Sequence, residues 1–248
     1  VWMGIWGHGW QLPHAEIPDR YWHGHEMLYG YGLAVIAGFL LTAVRNWTGR
    51  PTLSGLPLAG LILLWLIPRF SLPLGGLPPP ITAALDAAFV ALLLISVAIP
   101  VYRAGQLGRQ AGILACLMTL LLLNMAFYFA LAGMLDAGFR WSLYGGMYAE
   151  IYLVLVIGRR IIPLFTERGV GNSDTLRNRD RQDWACALSF VVFAVVDTLQ
   201  LPEWLVVPVA ALTALVHGVR WAGWQTRGIW RRPLLWILHV GYAVLILA

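Results

Sequence analysis

Charge is what this sequence has least of. Asp, Glu, Lys and Arg together make up 12% of its 248 residues, and lysine is absent, so all 17 basic side chains are arginine. A water-facing domain carries about 25% charged residues, so most of this chain's surface does not face water. The net charge of +5 is spread singly between apolar runs, with no basic block interleaved with aromatics, which excludes a nucleic acid partner. Cysteine is equally sparse: Cys116 and Cys186 stand alone in separate apolar runs without a CxxC, and read as small core residues. There is no strand alternation, nucleotide-binding loop, serine nucleophile elbow or HExxH. His25-Glu26 lacks a second histidine four residues after the first, and a soluble-type hydrolase is excluded.

What is present is apolar length. Hydrophobic residues reach 59%, with a mean hydropathy of +0.70. A membrane helix needs about 20 residues, and that ruler gives eight: Tyr21 to Val44, Thr52 to Ile67, Ile81 to Val101, Ala111 to Leu135, Trp141 to Phe165, Trp184 to Leu201, Glu203 to Trp221 and Pro233 to Ala248. Gly49-Arg50-Pro51, the Pro73 to Pro80 stretch, Gly105, Gly108, Gly138 and Pro202 supply the breaks. The expected fold is all-α, a polytopic transmembrane bundle. Its parts are an outer interfacial segment (1–20), a first bundle of five helices (21–166), a cytoplasmic polar loop (167–183) and a second bundle (184–248). Trp2, Trp6 and Trp10 share one helical face in the first of these and suit an interfacial aromatic belt. The chain begins at Val1 without a signal-like region and stops at Ala248 inside an apolar run, so it reads as a segment of a larger helical protein.

Arginine placement tests the topology. Alternating the loops puts Arg45, Arg50, Arg103, Arg109, Arg159, Arg160, Arg168, Arg177, Arg179, Arg181, Arg220, Arg227, Arg231 and Arg232 on one side, and only Arg20, Arg69 and Arg140 on the other. Positive residues gather on the cytoplasmic side, so both ends of the chain are expected on the opposite one.

Ionisable groups at a helix centre cost about 2.5–3.5 kcal/mol on insertion scales, so those present need a reason. The candidates are His23, His25, Glu26, Asp86, Glu150, Asp197, His217 and His239, with Asn124 as a polar neighbour. His23, His25 and Glu26, with His8 and His14 before them, gather imidazoles at the outer end, a donor set that suits a metal such as copper. Positions 23 and 25 lie about 200° apart on a regular helix. Either the first turn is unwound, or the two have different roles; a histidine hydrogen-bonded in an interfacial turn is the plainer alternative. Asp86 and Glu150 are proton-relay candidates. His217 lies about 21 Å inward and His239 about 9 Å up from the inner face, nearly one depth in a core of about 30 Å. Two such imidazoles suit a shared haem, with Arg159, Arg160 and Arg220 on its propionates. Alternatively, each histidine hydrogen-bonds across the bundle and the arginines are positive-inside anchors.

The string Trp22-His23-Gly24-His25-Glu26-Met27-Leu28-Tyr29-Gly30 resembles the signature of the NnrS family, and Ala37 to Val44 and Asn46 to Pro51 continue the likeness. Gly158-Arg159-Arg160-Ile161-Ile162-Pro163-Leu164-Phe165-Thr166, Leu215-Val216-His217 through Arg220-Trp221, and Leu235 to Tyr242 are similar to further family blocks, in order. The resemblance implies a multi-pass protein of the bacterial inner membrane that carries haem and copper. It also implies a role in the response to nitric oxide and nitrosative stress, linked to denitrification, with nitric oxide or an iron-nitrosyl species as the small ligand. The alternatives are a transporter of a metal or small anion, and a non-catalytic membrane regulator docked through residues 167–183. Whether the protein is an enzyme is left open by the residues, as is its electron donor.

Overall fold

The computed structural model describes residues 19–74, 76–171, 180–224 and 227–247. The expected interfacial segment with its tryptophans, His8 and His14, and the middle of the polar loop, lie outside the described residues.

The regular structure of the described residues is all helical, with no strand, and forms the eight expected helices in order. Helix α1 runs through three consecutive segments, Asp19–His25, a π-helical Glu26–Gly32 and Leu33–Thr48. It is followed by α2 (Leu56–Leu74), α3 (Pro79–Arg103) and α4 (Leu107–Leu131). Helix α5 comprises Gly138–Arg140, a π-helical Trp141–Gly145 and Gly146–Val170. Then come α6 (Asp180–Thr198), α7 (Glu203–Ala222), a 3-10 turn Arg227–Arg231 and α8 (Pro233–Leu247). Four of these, Arg20–Thr48, Pro79–Arg103, Leu107–Leu131 and Glu203–Ala222, are long and apolar enough to cross a membrane.

Two helices shift their boundaries for physical reasons. Helix α2 continues past Ile67 through Pro68 and Arg69, because Arg69 is held by carboxylates of α1 and α3 and does not emerge into a loop. Helix α4 spans Leu107–Leu131, four residues earlier at each end than expected. Gly105 (φ 66°) and Gly133 (φ 70°) take the left-handed conformation just outside it, which only glycine adopts without strain. The polar stretch expected as loop over 167–183 is trimmed from both ends by α5 and α6.

The chain divides into two compact units, residues 1–150 and 151–248. In the first, α3 packs on α1, α2 and α4, and α4 on the start of α5. Its core is Leu33, Leu40, Leu93, Ile113, Leu117 and Phe127. In the second, α7 packs on α6 and α8 around Cys186, Trp224, Ile229 and Tyr242. Polarity is inverted relative to a water-soluble protein. Leu122, Leu188 and Leu215 point outward, while His25, Asp86 and Asn124 are fully buried. Apolar side chains outside and polar side chains gathered inside is the arrangement a bilayer selects.

The turn into α5 depends on Gly138. A Cβ added there would stand 2.3 Å from the backbone oxygen of Ala126 and 2.8 Å from the Ala130 Cβ. Backbone cannot yield as a flexible side chain can. Gly138→Ala is expected to lower stability by about 1–3 kcal/mol, read as a fall in the thermal midpoint of the detergent-purified protein; an unchanged midpoint would contradict the close packing of α4 on α5.

Candidate functional site

The buried polar residues of the first unit converge on Asp86. Its position on α3 places the carboxyl between α2 and α4. From α2, Arg69 Nη2 donates to Asp86 Oδ1 at 2.5 Å. From α4, Asn124 Nδ2 and Tyr128 Oη each donate to Oδ2 at 3.0 Å. Residues 124 and 128 are one turn apart and so share a face. From α1, His25 Nε2 lies 3.5 Å from Oδ2 and 2.8 Å from Asn124 Oδ1. On the far side of that ring, Nδ1 lies 3.2 Å from Glu26 Oε1, while Glu26 Oε2 lies 3.2 Å from Arg69 Nε. The ring of contacts thus closes through four charged or ionisable side chains.

The two π-helical segments adjoin this cluster. A π turn widens the helix by one residue and recurs at functional sites. Tyr29, in the first, donates to the Ser142 backbone oxygen in the second at 2.9 Å, and Ser142 Oγ donates back to Tyr29 Oη at 3.2 Å. Gly30 O accepts from Trp65 Nε1 at 2.9 Å. Gly32 lets the Glu150 carboxyl lie against the backbone, since a Cβ there would meet Glu150 Oε1 at 2.2 Å. That Oε1 is buried without a hydrogen-bond donor.

Within the second unit, His217 and Arg220 of α7, one turn apart, meet Tyr242 of α8. Arg220 donates to Tyr242 Oη from Nε at 3.0 Å and also from Nη2. The phenol hydrogen is then left for His217 Nδ1, 2.8 Å away, and His217 Nε2 donates to the Cys186 backbone oxygen at 3.1 Å. Asp183 of α6 pairs with Arg159 through Oδ2, and its Oδ1 lies 3.5 Å from Arg220 Nη1. His239 is fully buried, with Nε2 3.0 Å from Thr166 Oγ1. Arg160 and Asp197 are half-buried.

His25, Glu26, Asp86 and Asn124 of the expected residues therefore come together, as do His217 and Arg220. His23 is half-buried while His25 has no exposure, so the two imidazoles occupy different surroundings. Arg69, Tyr128, Asp183 and Tyr242 were not anticipated. Arg69 carried a signal all the same, being one of only three arginines on the arginine-poor side of the expected topology.

The family model for the NnrS protein matches residues 1–248, the whole chain. The chain belongs to the NnrS family. Neither the curated proteins nor the solved structures contain a match to it.

The resemblance to NnrS proteins implies haem and copper, and the side-chain arrangement tests whether this chain's residues fit them. Among the described residues no group of three or more His, Cys, Asp and Glu side chains converges as a cation site. His217 meets a group of the chain at both ring nitrogens, with Nε2 committed to a carbonyl oxygen, and Arg159 and Arg220 are engaged by Asp183 and Tyr242. As folded, these residues do not fit a haem axial pair with propionate-binding arginines, and His23, His25 and Glu26 do not fit a copper site.

Removing one partner of a buried ion pair leaves a bare charge, at a cost of about 3–5 kcal/mol. Arg69→Ala is expected to lose that much stability, seen as poor accumulation in membranes and a depressed thermal midpoint, with Arg69→Lys intermediate because it keeps the charge but not the fork. In the second unit, Tyr242→Phe removes the oxygen shared by Arg220 and His217, and about 1–3 kcal/mol of stability is expected to go with it. A neutral effect of either change would contradict the network to which it belongs.

Proposed function

We propose that this protein acts in the bacterial response to nitric oxide, as a multi-pass protein of the cytoplasmic membrane. The observation that carries the reading is membership of the NnrS family over the full chain. It is supported by four helices suited to crossing a membrane and by buried ionisable clusters of the kind that mark function inside a bilayer. Nitric oxide is small and neutral and partitions into an apolar helix bundle, where such a protein meets it.

Haem and copper belong to this reading through the resemblance alone, and no residue of this chain is assigned to either. Of the two carboxyls suited to proton relay, Glu150 is the better candidate. Asp86 accepts from Arg69, Asn124 and Tyr128 and has the role of a fixed anion. Glu150 has an oxygen without a donor, and a relay group needs a position at which a proton can arrive.

The test is protection of cells. A strain lacking the protein is expected to grow more slowly under a nitric oxide donor and to be restored by the wild-type gene. Restoration by Glu150→Gln is expected to be partial at equal membrane abundance, and full restoration by that variant would remove Glu150 from the relay. A reduced-minus-oxidised absorption spectrum of the full-length protein checks the cofactor. A haem band that shifts with nitric oxide is expected, and it is expected to survive in His217→Ala and His239→Ala. Loss of the band in either variant, with the protein folded, would give the haem back to α7 and α8. Equal growth of the deletion strain and its parent would overturn the functional reading.

A further inference from the structure

The hydrogen bonds around His25 decide how many protons its ring carries, because each neighbour has a fixed role. Ionised Asp86 and Glu26 only accept. Asn124 Nδ2 faces Asp86 Oδ2 at 3.0 Å, and turning the amide over would set oxygen against carboxylate. Asn124 Oδ1 is therefore the atom that meets His25 Nε2 at 2.8 Å. An amide oxygen only accepts, so Nε2 carries a hydrogen. The opposite nitrogen, Nδ1, faces Glu26 Oε1 at 3.2 Å, a second acceptor. A neutral imidazole has a single N–H. Either of its tautomers would press a lone pair against an acceptor at a residue with no solvent exposure, where an unmade hydrogen bond is most costly.

The charge count asks for one proton on the His25–Glu26 contact, since Arg69 against Glu26 and Asp86 leaves one negative charge over. Glu26 lies at the 17% exposed edge of the cluster, where solvent supports its anion, while the ring has no exposure, so the proton is assigned to Nδ1. The groups that face the ring from each helix are Glu26 and Tyr29 of α1, Asp86 of α3, and Asn124, Phe127 and Tyr128 of α4, with Arg69 of α2 reaching it through the carboxylates. The Phe127 and Tyr29 ring centroids lie 4.3 and 5.0 Å from that of His25, and aromatic faces attract a cation.

We propose that His25 is an imidazolium donating from both nitrogens, that it completes with Arg69, Glu26 and Asp86 a buried cluster of zero net charge, and that it is a positioning residue for the two carboxylates, not a metal ligand. An imidazolium has no lone pair for a metal. Copper would have to displace a proton from one ring nitrogen and break the hydrogen bond that nitrogen makes before it met the ring. The likeness of the Trp22 to Gly30 string to its family signature then reflects an ion cluster tying α1 to α2, α3 and α4.

The experiment is nitrogen NMR of the full-length protein carrying ¹⁵N-histidine, with the His25 resonances identified by their loss in His25→Gln. If that variant fails to accumulate, Glu26→Gln, at the 17% exposed edge of the cluster, makes the identification by moving the Nδ1 resonance. Both ring nitrogens are expected at protonated shifts, and copper ions added alone are expected to leave them unchanged. One unprotonated ring nitrogen, or copper-dependent broadening of the His25 resonances, would overturn the proposal.

Discussion

A carboxylate inside an apolar bundle has to be neutralised within hydrogen-bonding distance, and the first unit is organised by how Asp86 meets that demand. Asp86 has no exposure to solvent that could do it. Three side chains from two other helices, Arg69, Asn124 and Tyr128, end on its two oxygens. Each of those donors fixes the rotation of the helix that carries it. Arg69 holds α2 helical beyond the residue at which its apolar run ends, and the i, i+4 pair on α4 has to face α3 for both donors to reach one oxygen. Dispersion alone would tolerate many rotations of one apolar helix against another. The carboxylate removes that freedom.

The same demand explains the irregular start of α1. His25 and Glu26 are adjacent, so a regular helix points them about 100° apart, yet both contribute to the cluster. A π-helical segment begins at Glu26, where the chain turns to bring that carboxyl onto Nδ1 and Arg69. The widened turn is then supported from outside, by Trp65 on Gly30 O and by Tyr29 on the second π segment. Gly32 completes the arrangement by allowing Glu150 against the backbone. Irregular backbone inside an apolar helix bundle is tolerated where protein groups support it, and Trp65, Tyr29 and Ser142 supply that support here.

How far the sequence foretold this depends on which physical signal each feature leaves. Apolar run length found eight helices in order, since the bilayer ruler is strict and charge is scarce. It placed the end of α2 at Ile67, where the apolar run stops, and it had no means of knowing that carboxylates on α1 and α3 would take Arg69 inward. His25, Glu26, Asp86 and Asn124 stood out as polar residues in apolar surroundings, so most of the cluster's members were legible. Its connections were not. Tyr128 and Tyr242 look like interfacial or core aromatics until their hydroxyls are placed, and Asp183 reads as part of a solvated loop. One extra residue in a π turn leaves no trace in a hydrophobic pattern that is apolar on every face.

The two buried histidine environments show how the same ring takes opposite charge roles. At His217 the chain of donation runs one way, from Arg220 to the Tyr242 oxygen, from the phenol hydrogen to Nδ1, and from Nε2 to the Cys186 carbonyl. One nitrogen receives and one gives, which a neutral imidazole satisfies. A positive ring there would also face Arg220, whose Nη2 lies 3.3 Å from Nδ1. At His25 both nitrogens face acceptors and the surrounding charge is negative. Type and burial are the same at the two positions, with an aromatic neighbour at each, so only the identity of the partners separates them. Chemistry at either site therefore has to begin by displacing a specific partner. Among the described residues of the first unit, the buried carboxyl oxygen that asks for no such displacement is Glu150 Oε1.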